Sequence, residues 1–148
     1  MANATKPAVY QAYPGSGGGG GGQGFAELWK VFSAEAVATT ATVDSIMSDT
    51  GNLGFRLHEF KYFGLWIAAT SASGTADVKV QILQSYDDTA ANYVVPDVGG
   101  TLTASITDDL PHVFAISPTV MPFLRIRLIG NAANPADTVV TAYIFFQS

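Results

Sequence analysis

In the stretch Ala76-Asp77-Val78-Lys79-Val80-Gln81-Ile82 every second residue is apolar and every residue between is polar. A period of two is that of a β-strand, whose successive side chains point to opposite faces, and an α-helix cannot gather it into one stripe. The alternation returns in Phe123-Leu124-Arg125-Ile126-Arg127-Leu128, where Leu124, Ile126 and Leu128 take the core side and Arg125 and Arg127 share the outer face. From Phe25 onward, short runs rich in Val, Ile, Thr, Phe and Tyr are separated by Gly, Pro, Asn, Asp and Ser clusters. Strands are expected at 27–37, 42–47, 54–57, 61–70, 76–85, 101–107, 112–116, 123–130 and 138–147, with no long helix. So many short strands in one domain-sized chain predict an all-β antiparallel sandwich of jelly-roll-like form.

Two of these strands lack a wet face. In Lys61-Tyr62-Phe63-Gly64-Leu65-Trp66-Ile67, the face of Phe63, Leu65 and Ile67 opposes one bearing Tyr62 and Trp66. In the last strand Val140, Ala142, Ile144 and Phe146 oppose Val139, Thr141, Tyr143 and Phe145. Half-buried antiparallel strands keep one face polar, so the second apolar face here must be covered, either by a loop of the same chain or by a neighbouring subunit. Tyr62, Trp66, Tyr143 and Phe145, with Arg125 and Arg127 on the other alternating strand, are the candidate interface residues of the sandwich.

Before Phe25 the composition changes abruptly, and residues 1–24 are set apart as an extended arm from a single sandwich domain at 25–148. Six consecutive glycines, Gly17 to Gly22, offer no side chain to bury, and fixing each costs about 1–2 kcal/mol of backbone entropy. By themselves they are a linker. Upstream, Pro7-Ala8-Val9-Tyr10-Gln11-Ala12-Tyr13-Pro14 has the character of an anchor: two prolines that favour extension, and tyrosines suited to an interface. Pro7, Tyr10, Tyr13 and Pro14, with the reach supplied by Gly17 to Gly22, are the candidate contact residues of the arm, on an adjacent subunit.

Composition narrows the partners. Charged residues form 13% of the chain, against about 25% in a typical soluble domain, and mean hydropathy is +0.25. Such a shortage of solvated surface is expected when part of the surface is covered in an assembly, the alternative being a charge-poor monomer. A net charge of −5 with seven Lys and Arg gives no basic stripe for a phosphate backbone, so no nucleic acid is expected. No apolar run is long enough to span a bilayer as a helix, and the first residues lack a signal peptide's pattern. A soluble, cytoplasmically made protein with no membrane partner is the expectation. The absence of cysteine removes disulfides and thiolate metal sites.

Catalytic chemistry finds no setting. There is no Gly-x-Ser-x-Gly elbow, and the two histidines, His58 and His112, read as strand-end residues. Glu27, Glu35 and Glu59 read as solvated strand positions rather than paired catalytic carboxylates. Asp87-Asp88 and Asp108-Asp109 fall in loops, where an aspartate more commonly accepts backbone hydrogen bonds than binds calcium. No Lys-Ser/Thr pair follows the hexaglycine, so it is no phosphate loop. No catalytic residue, cofactor or metal is expected, and the chain is expected not to be an enzyme.

Residues 77–148 carry a further pattern: Val78-Lys79-Val80-Gln81-Ile82-Leu83-Gln84-Ser85-Tyr86-Asp87-Asp88, then Pro122-Phe123-Leu124-Arg125-Ile126-Arg127-Leu128, then Asp137-Thr138-Val139-Val140-Thr141-Ala142-Tyr143-Ile144. This resembles small jelly-roll virion proteins of tailed bacteriophages, of the capsid decoration or cement type. Where that family has a Ser-x-Asp-Gly turn, this chain has Ser85-Tyr86-Asp87-Asp88. The resemblance implies a homotrimer on the capsid exterior, bound to the major capsid protein or other virion proteins. A tail or head-fibre subunit shares the pattern. So does a carbohydrate-binding sandwich, which would use Trp29, Trp66 or Tyr86 as a sugar platform, although Trp29 and Trp66 read as buried.

Overall fold

The computed structural model describes residues 2–4, 8–11, 25–47, 52–57, 60–97, 103–117 and 119–148. Its strands are β1 (Ala2–Ala4), β2 (Ala8–Gln11), β3 (Phe25–Ala36), β4 (Thr42–Met47), β5 (Phe55–Arg56), β6 (Tyr62–Thr70), β7 (Val78–Ser85), β8 (Thr103–Ile106), β9 (His112–Ala115), β10 (Phe123–Gly130) and β11 (Val139–Gln147). The only helical element among the described residues is a 3-10 turn at Ala90–Asn92. Strands β4 and β10 have the bounds expected from the sequence, because each opens and closes where alternation gives way to turn residues.

Two sheets form, in the orders β1-β4-β10-β7-β8, with β5 also on β10, and β2-β3-β11-β6-β9. Without the arm strands and β5, these are four strands facing four. The chain passes from one sheet to the other at every step from β3 to β11, except the β7–β8 hairpin and the short β5. This is the connectivity of a jelly roll, with two interlocked Greek keys. All pairings are antiparallel except that of β1 with β4.

The alternation read from the sequence decides what lies between the sheets. Val78, Val80 and Ile82 of β7, Leu124, Ile126 and Leu128 of β10, and Val140, Ala142, Ile144 and Phe146 of β11 are all buried. Phe146 is the aromatic hub: Phe55, Phe60 and Phe63 hold ring centroids 5.3, 5.3 and 5.4 Å from it, and Trp29 meets Phe55 edge-on at 5.5 Å. A polar knot closes the end near the β3–β4 turn. Buried Asn134 donates to the Val37 carbonyl and accepts from the Asp77 amide and the Thr138 hydroxyl, so its side chain ties three segments.

Two positions lie in the left-handed region with side chains present. Ala34 (φ 49°) sits in β3 beside an irregularity in the β3–β11 register, and Thr40 (φ 60°) follows Thr39 in the turn into β4. A β-branched residue is strained there. Gly54 has the opposite character: an added Cβ would stand 2.2 Å from the Tyr93 hydroxyl and 2.7 Å from the Leu124 carbonyl oxygen. Thr40→Gly is therefore expected to raise unfolding free energy by about 1 kcal/mol. Gly54→Ala is expected to lower it by about 1–3 kcal/mol, both read from urea midpoints.

Candidate interface on the outer face of the second sheet

The two sheets differ in what they turn outward, and strand register makes the difference plain. Across the first sheet one row runs Asp44, Arg127, Gln81, Thr103 from β4 through β10 and β7 to β8. The corresponding row across the second runs Lys30, Tyr143, Trp66, Val113 from β3 through β11 and β6 to β9. The first row is polar at every position. The second carries two aromatics and a valine, and Leu28 and Phe145 lie opposite one another in a parallel row.

The first sheet's outer face is closed by its own residues. Arg127 makes a bidentate pair with Asp44, Nε to Oδ1 at 2.6 Å and a terminal nitrogen to Oδ2 at 3.0 Å. That pair raises the Arg127 pKa, the carboxylate's hydrogen bond being the main cause. Arg125 is not solvated, contrary to its place in the alternation. It is 4% exposed, donates from Nε to the Ser45 carbonyl at 2.8 Å, and lies under the Tyr93 ring. The reason is the loop after β7, which folds back over the sheet and bridges Val94 to Gln84. Arg125 therefore has no free surface to offer a partner, and the expectation of an outward-facing arginine pair holds only for Arg127.

Asp87 and Asp88 build that loop. Asp88 accepts the Leu53 and Gly54 amides and the Tyr93 hydroxyl, the last at 2.6 Å, while Asp87 accepts from Thr89 and Asn92. Burial and the Asp88 hydrogen bond push the Tyr93 pKa up. Hydrogen bonds, that from Asn92 first, hold the Asp87 carboxyl below its usual value. Both carboxylates thus serve turns. Asp108 pairs with His112 Nε2 at 2.8 Å, and His112 opens β9 as a strand-end residue stacked on Phe114. His58 and Glu59 lie outside the described residues.

The second sheet's outer face has no comparable cover among the described residues. Val113 is 75% exposed, Tyr62 65%, and Trp66 and Phe145 37% each. Trp66 and Tyr143 pack edge-on at 5.6 Å, and the Lys30 ammonium sits 5.7 Å from the Tyr143 ring centroid. The structure thus brings four sequence candidates, Tyr62, Trp66, Tyr143 and Phe145, onto one face, and separates Arg125 and Arg127 from them on the opposite sheet. Trp66 lies on the surface rather than in the core, whereas Trp29 is buried. Val113 and Lys30 join the patch unforeseen, since a four-residue strand shows too little alternation to orient and cross-strand register is not written locally. Of the arm candidates, Tyr10 lies on β2, and Pro7, Tyr13, Pro14, Gly17 and Gly22 lie outside the described residues.

Two clefts among the described residues are too small to compete with this face. One of about 150 Å³ lies between Glu27, Trp29, Phe55 and Arg56, and one of about 260 Å³ between Leu57, Phe63 and Thr119 to Pro122. Ligand pockets usually hold about 300–1,000 Å³. Among the described residues no three His, Asp or Glu side chains converge to hold a metal, and no helix is long and apolar enough to cross a membrane.

No family model matches the chain, and no curated protein does. Among solved structures it is similar to a Bacillus endospore appendage protein from a family of disulfide-linked pili, with 13% identity, 96% of this chain and 89% of that one covered, and a TM-score of 0.40. Tobacco streak virus coat protein gives 13% identity, 83% and 85% coverage and a TM-score of 0.42. A low-affinity xylan-binding module from Roseburia intestinalis gives 11% identity, 98% and 87% coverage and a TM-score of 0.31.

Removing the buried Arg125 loses its hydrogen bond to Ser45 and leaves a void, so Arg125→Ala is expected to cost about 2–4 kcal/mol. Arg127→Ala, which removes a partly exposed ion pair, is expected to cost about 1 kcal/mol or less. In an NMR titration the Asp87 carboxyl should have its midpoint below 3.8. Its depressed folded value means that its stabilising contribution is complete above the unfolded value and is lost as pH falls through the folded one.

Proposed function

We propose that this chain is a non-enzymatic structural subunit of a virion, a capsid decoration or cement protein of the tailed-phage type. It stabilises the shell as a homotrimer through subunit contacts with itself and the major capsid protein, and through its arm. The observation that carries this reading is the uncovered row Tyr143-Trp66-Val113, flanked by Tyr62 and Phe145, on a four-strand surface. Nine residues on each of β3, β11 and β6 and four on β9, at about 3.3 Å rise and about 4.8 Å strand spacing, give about 500 Å² of planar area. A stable interface buries about 800 Å² per partner, so one such face is of the right order for a partner. Aromatic residues are also those enriched at interfaces. The jelly-roll connectivity and the pattern in residues 77–148 favour a virion setting, the fold by analogy only.

The test is the native mass of the full chain by sedimentation, with and without Tyr62→Glu and Val113→Glu. Both side chains are largely exposed, so each substitution is expected to change stability by no more than about 0.5 kcal/mol while abolishing the assembled species. A wild-type chain that stays monomeric at every concentration and does not bind purified shells overturns the proposal.

The exposure of Trp66 and Tyr62 favours one second reading, a carbohydrate-binding module in which these rings stack on a glycan. It differs in its outcome: the monomer binds on a glycan array, and Trp66→Ala abolishes that binding without altering mass.

A further inference from the structure

The arm crosses from one sheet to the other. β1 pairs in parallel with β4 on the first sheet, Ala2 opposite Ser45 through Ala4 opposite Met47. Only residues 5–7 separate it from β2, which pairs antiparallel with β3 on the second, Ala8 opposite Leu28 through Gln11 opposite Phe25. β3 and β4 are the strands that would otherwise end their sheets on that side. The arm therefore laces shut one open side of the sandwich by backbone pairing, which needs no particular side chains.

The connector between β2 and β3 is far longer than this geometry requires. Gln11 and Phe25 stand directly opposite one another, so a two-residue turn would close the hairpin. The chain instead uses residues 12–24, among them eight glycines and no charged residue. A long glycine-rich connector supplies no turn preference to hold β2 on its own β3, and it presents the strand at an effective concentration of only about millimolar. A neighbouring copy in a packed assembly presents an identical β3 edge at comparable local concentration, and exchange preserves every backbone pair.

From this we infer that the arm is an exchangeable strand pair: in the assembled state β1 and β2 of one copy pair with β4 and β3 of a second copy. The occupant of the edge is then another molecule's arm, in the same register as its own. The inference rests on the reading of the protein as an assembling subunit.

The absence of native cysteine makes the test clean. Val9 and Glu27 are opposite one another across β2 and β3. Full-length Val9→Cys and Glu27→Cys chains are mixed, assembled and oxidised, then compared on a denaturing, non-reducing gel with Val9→Cys mixed with Thr103→Cys, an exposed position on the opposite sheet. Exchange is expected to give a Val9–Glu27 linked heterodimer well above that control, and chains of several copies from the Val9→Cys/Glu27→Cys double variant. A second variant, with residues 12–24 replaced by Asn-Gly, is expected to fold and to return the double variant's link to within one chain. The inference is overturned if the unshortened double variant closes within single chains, if the Val9→Cys/Glu27→Cys mixture does not link above the control, or if the shortened connector leaves the interchain yield unchanged. An assembled native mass with only intrachain links refutes exchange while leaving the structural role standing. A monomeric native mass with only intrachain links refutes both.

Discussion

The meeting of Phe146 with Phe55, Phe60 and Phe63 is the contact on which the sandwich depends, because it joins the last strand to the middle of the chain between the two sheets. The edge-on pairs with Phe55 and Phe63 contribute about 0.5–1.5 kcal/mol each beyond the apolar area they bury, and Phe60 packs at a tilt. Trp29 extends the cluster to β3 through Phe55, so the aromatics tie strands from near both ends of the domain. With no disulfide available, this packing and the β11 pairings to β3 and β6 are what hold a sheet whose neighbours in space are distant in sequence.

The same strand that supplies Phe146 to the core supplies Tyr143 and Phe145 to the outside. A strict period of two allows no other division of Val139 to Gln147. The outer aromatics are therefore not the overflow of a crowded core; each occupies a position where Thr, Lys or Gln would satisfy a solvated strand. The first sheet shows that alternative, with Asp44, Arg127 and Gln81 in the equivalent row. A jelly roll is compatible with many functions, and what distinguishes this one is the contrast between its two outward surfaces.

Strand positions and core faces were legible in the sequence because both follow from local alternation, as in β7 and β10. So was the group Tyr62, Trp66, Tyr143 and Phe145, since two strands apolar on both sides announce a second surface. The strand order was not, because it depends on pairings such as Val139 with Ala36 that no local pattern encodes. Arg125 was misread for a related reason: alternation gives the side of the sheet a residue occupies, but only the path of the loop through Asp88 and Tyr93 decides whether that side is wet. Trp66 carries two readings in the sequence, a candidate interface residue beside Tyr62 and a buried residue like Trp29, and its 37% exposure agrees with its strand position and not with burial.

The passage of the chain between sheets at nearly every step also governs how the protein comes to fold. β3 waits for β11, more than a hundred residues later, before its inner edge is satisfied. Folds dominated by such distant pairings form on the millisecond-to-second scale, with strand edges open to other chains meanwhile. The arm strand β2, close in sequence to β3, can occupy the opposite edge long before the final strand arrives. A β3 paired with β2 presents one open edge to other chains in that interval rather than two.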